Sequence, residues 1–373
     1  MKSFTRNSVI ASILILLLLL ADNAQSKQKS KITVGIKNII RELMMDKITF
    51  GVAIGVVTEE NTEIYCTGKT ARSGGTNINE NTVFRLGSTT KGFTGILLAD
   101  QILQGNISLN DPVENYLPSE VKLPERKGKN IKCIDLATHS SALPVRPPDY
   151  KIMENGPYSV SQLYKYLSTV NLEWDIGTKY SYSSLGAGLI GHIITLLENK
   201  PYSQILKEKI FDPLGMNSTD IVIREDMKKR LSKGHDERKE AKWLEIPEVF
   251  APSGSLNTTV SDMTKFISAG LEITKTPINE AFDLSRKLLR SFEDGRKLAM
   301  FWRRVELEGH TIIGHPGDTF GFSAYIGFNL ENRIGVVVLS NGKMGVREIG
   351  FHILTGGDYK LSKKNILRFY YEE

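Results

Sequence analysis

Apolar positions recur along this chain at two periods. In TVGIKNIIRELMM (residues 33–45) they fall three and four apart, the spacing of one helix face. FGVAIGVV (50–57) and TEIYCTG (62–68) are strand-like runs joined by the polar turn TEEN, which predicts a hairpin. The same pattern returns near the other end, with FSAYIGFN (322–329) and RIGVVVLSN (333–341) joined across LEN. A helical pattern follows over 347–355. Between the two hairpins, about 200 residues carry mostly helical spacing. NDP at 110–112, LPVRPPD at 143–149, FDPLGM at 211–216 and APSGS at 251–255 punctuate them. Strands at both ends with helices between them predict an α/β chain of the α+β type. An antiparallel sheet flanked by helices is built from both chain ends, and a mostly helical lobe is inserted. The expected sheet lobe covers about 32–85 and 300–373, the helical lobe about 86–299, in a single domain over 27–373.

Composition changes this picture little. The 373 residues are 40% apolar and 24% charged, enough for a sizeable core. The net charge is +6, but basic residues are mixed with acids, as in KEAKWLEIPE, so no nucleic-acid partner is expected. The N-terminus adds a compartment. Lys2 and Arg6 precede the apolar run VIASILILLLLLA (9–21), followed by Ala24 and Ser26 at cleavage spacing. Residues 1–26 read as a signal peptide, and the mature chain as periplasmic or secreted with no stable membrane span. An uncleaved membrane anchor is the competing reading. Cys66 and Cys133 are read as free thiols rather than a disulfide framework.

Candidate chemistry begins at FRLGSTTKGFTGILLADQIL (84–103). S-x-x-K occurs four times, from Ser26, Ser88, Ser119 and Ser340. Only Ser88 opens a long helical run. Residues i and i+3 share a helix face, so Lys91 is expected against Ser88. A serine hydroxyl becomes a nucleophile when a neighbouring base takes its proton, and lysine acts as that base only with a lowered pKa. The other reading makes Ser88 a helix cap. Two further stretches bear on the choice. KYSYSSLGAGLIGHII (179–194) sets Tyr180 before a second long helix, where a phenol near an ammonium sheds its proton more easily and relays it. IIGHPGDTFGFSAYIGFN (312–329) carries a glycine-rich turn between strand-like segments, with His315-Pro316-Gly317.

With these three stretches the chain resembles the penicillin-recognising serine hydrolases: class C β-lactamases, D-alanyl-D-alanine peptidases and related esterases. Their motifs S-x-x-K, Y-x-N and K/H-T-G would be Ser88-Thr89-Thr90-Lys91, Tyr180-Ser181-Tyr182 and His315-Pro316-Gly317. The flanks ISLNDPVENYLP, LATHSSALP, FDPLGMNST and SGSLNTTVSDMTKF are similar too, and LATHSSALP resembles the carboxypeptidase/endopeptidase branch. The likeness covers nearly all of residues 33–356 and implies a β-lactamase/transpeptidase-like fold.

The resemblance also implies roles. Ser88 would be acylated, while Lys91 and Tyr180 would manage its proton and then activate water. The N–H groups of Ser88 and Asp318 would form the oxyanion hole, beside Gly317. His315 would help hold a substrate carboxylate, so affinity is expected to rise as pH falls from about 7.5 to 6. Tyr182 stands where the family usually has Asn, and Pro316 where it has Thr. The implied function is hydrolysis of β-lactam amides through an acyl-enzyme. The alternatives are a D-alanyl-D-alanine carboxypeptidase/endopeptidase or D-amino-acid esterase, and a penicillin-binding sensor with little turnover. The implied partner is a small-molecule or peptidoglycan-derived substrate, and the enzyme is expected to act as a monomer.

Other signals are set aside. GAGLIG (186–191) follows polar residues rather than a strand, so its glycines are read as close helix packing and not as a dinucleotide site. The histidines show no metal-ligand spacing, and neither metal nor cofactor is expected. His139, in ATHSSALP, is read as a structural hydrogen-bonder.

Overall fold

The computed structural model describes residues 30–150, 158–236 and 239–371. The apolar run and the expected cleavage after Ser26 lie outside the described residues. No described helix is long and apolar enough to cross a membrane.

The first helix, α1 (Val34–Met45), is N-capped by Thr33, whose hydroxyl accepts the Ile36 N–H at 3.3 Å. It leads into β1 (Gly51–Val57) and β2 (Thr62–Gly68), the expected hairpin. One 3-10 turn at Gly87–Thr89 opens α2 (Thr90–Leu103), and α3 runs over Ser184–Glu198. After α4 (Val260–Gly270) come β3 (Arg290–Ser291), β4 (Lys297–Leu298), β5 (Arg303–Leu307), β6 (His310–Thr319), β7 (Phe322–Asn329) and β8 (Ile334–Ser340). The last of these elements, α5, covers Val346–Leu354.

The eight strands form one antiparallel sheet in the order β2-β1-β8-β7-β6-β5-β4-β3. Strands from the two chain ends meet where β1 pairs β8, with Ile54 opposite Val338. Period-2 alternation then sorts the side chains between two layers. Val52, Ile54, Val56, Val336 and Val338 join α1 and α5 on one face. Ala53, Val57, Val337 and Leu339 face α4 and the helical lobe. At the middle of β1 a Cβ on Gly55 would lie 2.6 Å from Thr264 Cγ2, so glycine there lets α4 approach the sheet.

The sheet extends further than the apolar pattern indicates. β3, β4 and β5 are short or charged, and β6 runs unbroken through His315-Pro316-Gly317 where a turn was expected. The register explains how Pro316 is accommodated. β5 pairs with β6 only as far as Gly314, whereas β7 pairs along it to Thr319. From residue 315 onward, one edge of β6 has no strand partner, and a residue lacking an N–H is tolerated there.

The α3 glycines are close-packing positions, as expected. A Cβ on Gly188 would lie 2.5 Å from the Val249 carbonyl, and one on Gly191 2.1 Å from Pro252 Cγ. Both cysteines are free thiols; Cys133 is buried and Cys66 partly so.

Candidate active site

The unpaired edge of β6 meets the start of α2. Gly87 adopts φ +54°, a conformation that favours glycine, and a Cβ there would lie 2.9 Å from the Asp318 carbonyl. Across the contact, a Cβ on Gly317 would lie 2.1 Å from the Leu86 carbonyl and 3.1 Å from Ser88 N. Two glycines therefore let the Ser88 turn and the strand lie backbone to backbone. Ser88 and Asp318 line one cavity of about 180 Å³, with Arg146, Tyr150, Ser184, Phe250 and Ser253.

Lys91 lies one turn beyond Ser88 and is completely buried. Its Nζ stands 3.3 Å from Ser88 Oγ and 3.3 Å from Ser184 Oγ, and it donates to the Ser253 carbonyl at 2.7 Å. Burial holds its ammonium well below the ordinary lysine range, and the positive charges of Arg146 and Arg303 push the same way. A neutral amine beside a serine hydroxyl is a base within hydrogen-bond reach.

The geometry corrects the tyrosine assignment. Tyr182, not Tyr180, reaches the nucleophile position, donating its hydroxyl to Ser88 Oγ at 2.7 Å. Tyr180 instead accepts from Arg303 Nη2 at 3.2 Å. The cause is the helix start. Ser183 N-caps α3, accepting the Gly186 N–H at 2.9 Å and donating to the Pro144 carbonyl at 2.7 Å. The residue just before that cap is Tyr182, and it leans over α2. The signal was present in the sequence, in the serine that fits a cap position ahead of LGAGLIG. With Tyr182 as the motif tyrosine, Ser184 rather than Tyr182 occupies the place of the usual Asn. Nor does the phenol shed its proton easily. Burial raises Tyr182 above the ordinary tyrosine range, so at rest it is a donor.

His315 also needs correction. It is 1% exposed, its Nδ1–H is directed at the Pro316 carbonyl, and burial with Arg303 and Lys91 nearby holds it well below the ordinary histidine range. These causes oppose its protonation as pH falls from about 7.5 to 6, so the expected gain of carboxylate affinity over that range loses its basis. The sequence reading missed the cations that do face this region, Arg146 on the cavity wall and Arg303 at the start of β5. No local motif marks either.

A larger cavity of about 560 Å³ lies behind α3, lined by Gly191, His192 and Tyr202 among others. Neither Ser88 nor Lys91 nor Tyr182 lines it.

Comparisons with known proteins place the chain in a family and a fold. Residues 36–350 match the family model described as Beta-lactamase. A β-lactamase of Yersinia enterocolitica is 25% identical over 342 residues, covering 82% of this chain and 86% of that one. The D-alanyl-D-alanine-carboxypeptidase/endopeptidase AmpH of Escherichia coli is 36% identical over 153 residues, 40% of this chain and 39% of its own. A solved class C β-lactamase superposes with TM-score 0.78 at 21% identity, covering 91% of this chain and 98% of that chain. A β-lactamase/D-alanine carboxypeptidase from Pseudomonas syringae gives 0.72 at 20% identity, covering 82% and 93%.

Proposed function

The chain belongs to the β-lactamase family, and from that premise we propose a secreted serine hydrolase that opens β-lactam amides through an ester at Ser88. The observation that carries the reading is the pair of groups on one oxygen, Tyr182 Oη at 2.7 Å and buried Lys91 Nζ at 3.3 Å.

The chemistry follows from their protonation states. The neutral Lys91 amine takes the Ser88 proton as Oγ bonds to the substrate carbonyl carbon. Tyr182 delivers its own proton to the departing nitrogen and recovers one from the Lys91 ammonium. In the second half water attacks the ester, and its proton returns to Ser88 through the same two groups. The N–H groups of Ser88 and Asp318 are assigned to the developing oxyanion; donors so placed contribute about 3 kcal/mol each. Arg146 and Arg303 give the pocket a positive field for an anionic substrate, the role first expected of His315.

A D-alanyl-D-alanine peptidase or D-amino-acid esterase with the same machinery is the second reading. Two observations favour it: the 36% identity to AmpH over part of the chain, and Ser184 in the Asn place. An Asn amide offers separate donor and acceptor atoms, a serine one hydroxyl, so the grip on an acyl-amide side chain is weaker.

The test is a chromogenic cephalosporin given to the protein from residue 27 onward and to its Ser88→Ala variant. Steady hydrolysis that vanishes in Ser88→Ala is expected. A single stoichiometric burst would replace this reading with the peptidase or the slow-turnover sensor, decided next with D-Ala-D-Ala peptides. No reaction with cephalosporin, peptide or simple ester would remove the hydrolase reading altogether.

A further inference from the structure

Tyr182 lies in the link entering α3, and one residue holds the chain on both sides of it. The backbone carbonyl of His139 accepts the Ser181 N–H at 2.7 Å. The ring Nδ1 of the same residue accepts the Ser183 N–H at 3.2 Å. Between these two bonds its imidazole packs on the Tyr182 ring, with centroids 4.7 Å apart. We propose that His139 is a positioning residue, the clamp that aims the Tyr182 hydroxyl at Ser88. The inference deepens the acyl-transfer reading and rests on it.

Three features separate this clamp from ordinary core packing. First, His139 has φ +52°, the left-handed region, which non-glycine residues seldom adopt. There its own carbonyl and its own ring address the residues on either side of Tyr182. Second, Nδ1 accepts a backbone N–H, which places the ring proton on Nε2. That nitrogen is buried with no hydrogen-bond partner among the described residues. A buried donor left unpaired is a stability cost, so packing alone does not account for an imidazole here. Third, the ring must stay neutral for Nδ1 to accept. Burial does this, and the nearby Lys91, His315 and Arg303 reinforce it. Ser183 is fixed a second time through its hydroxyl, which is held by Pro144 and Gly186. The tyrosine ring is thus set between a fixed cap and a fixed imidazole. Misplacing a proton-transfer group by about 1 Å can cost on the order of 100-fold in rate.

Two variants separate the clamp from a space-filling role. In His139→Asn the side-chain oxygen falls near the place of Nδ1, and Asn tolerates the left-handed conformation. In His139→Gln the amide lies one carbon further out and misses the Ser183 N–H. Both lose the ring. With a chromogenic cephalosporin and a nitrophenyl ester, His139→Gln is expected to lower kcat about 30- to 100-fold with KM within about threefold. His139→Asn is expected to recover to within about fivefold of the parent. Melting temperatures of the two variants should be similar. The clamp is overturned if Asn and Gln are equally active, if the loss follows melting temperature, or if it appears only in KM.

A readout without turnover keeps the two ideas apart. The ring-carbon NMR resonance of labelled Tyr182, assigned by its loss in Tyr182→Phe, should move in both variants, which lose the imidazole ring current. It should stay a single sharp signal in His139→Asn and broaden or split in His139→Gln; equal line shapes in the two overturn the clamp. Should the parent protein prove silent with every substrate, the hydrolase reading fails and this resonance still decides the clamp.

Discussion

On one face of the sheet, under α1 and α5, Val52, Ile54, Val56, Val336 and Val338 of β1 and β8 form a buried hydrocarbon layer. Beyond the other face, where β6 meets the Ser88 turn and α2, lie Lys91, His139 and His315, each nearly or wholly buried with other cationic groups nearby. Burial acts oppositely in the two places. On the far face it is a simple gain, about 1.5–3 kcal/mol for each large apolar side chain. At the site it is a strain, because each of these groups would be easier to protonate in water. The far face supplies the rigidity with which the near face holds a lysine neutral.

The comparison breaks first at Lys91. In Lys91→Arg the side chain is permanently charged and is no longer a base. Acylation of Ser88 is expected to fall about 1,000- to 10,000-fold, or about 4–5 kcal/mol of barrier. In the parent protein the rate requires the neutral amine, so it rises with pH through the lowered Lys91 pKa and then levels. The check is single-turnover acylation across pH. An arginine variant that keeps a tenth of the parent rate with the same ascending limb would mean that Lys91 is not the base.

Ile54→Ala probes the other face. Ile54 is fully buried between α1, α5 and the neighbouring strands. The loss should be about 3 kcal/mol of unfolding free energy, while kcat per folded molecule stays within about twofold. Denaturant melts paired with active-site titration measure both. If kcat falls along with stability, the faces are coupled and the division of labour drawn here is wrong.

What could be read in advance follows the same division. The far face was legible because β1, β2, β7 and β8 are short runs rich in apolar and β-branched residues, bounded by polar turns. β6 was not, because HTIIGHPGDT carries two glycines and a proline that locally signal a turn. Tertiary contacts make it a strand: β7 along one edge, β5 along the other as far as Gly314, and the Ser88 turn beyond it. At the site, Ser88 and Lys91 were legible as an i, i+3 pair on one helix. The tyrosine was misplaced by two residues, because KYSYSS offers two candidates with the same polar surroundings. The Ser183 cap and a contact spanning 94 positions decide between them. Arg303 touches Tyr180 across 123 positions, and no periodicity marks such a contact.

Arg303 supplies the smallest and most discriminating effect. It opposes the protonation of Lys91, His139 and His315, and it faces the region where an anionic substrate would be drawn. Arg303→Gln removes both influences, and they separate by substrate. For a substrate carrying a carboxylate, KM should rise about three- to tenfold, the loss of one partly screened ion contact. For a neutral ester, KM should hardly move. The pH profile should change for both. Arg303 lowers the Lys91 pKa, so its removal raises it, and the ascending limb of kcat must shift toward alkaline pH. A limb that stays in place while KM rises would leave Arg303 as a binding residue alone. A limb that moves while both KM values hold would make its charge a means of keeping Lys91 neutral, and would leave Arg146 as the cation that meets the substrate.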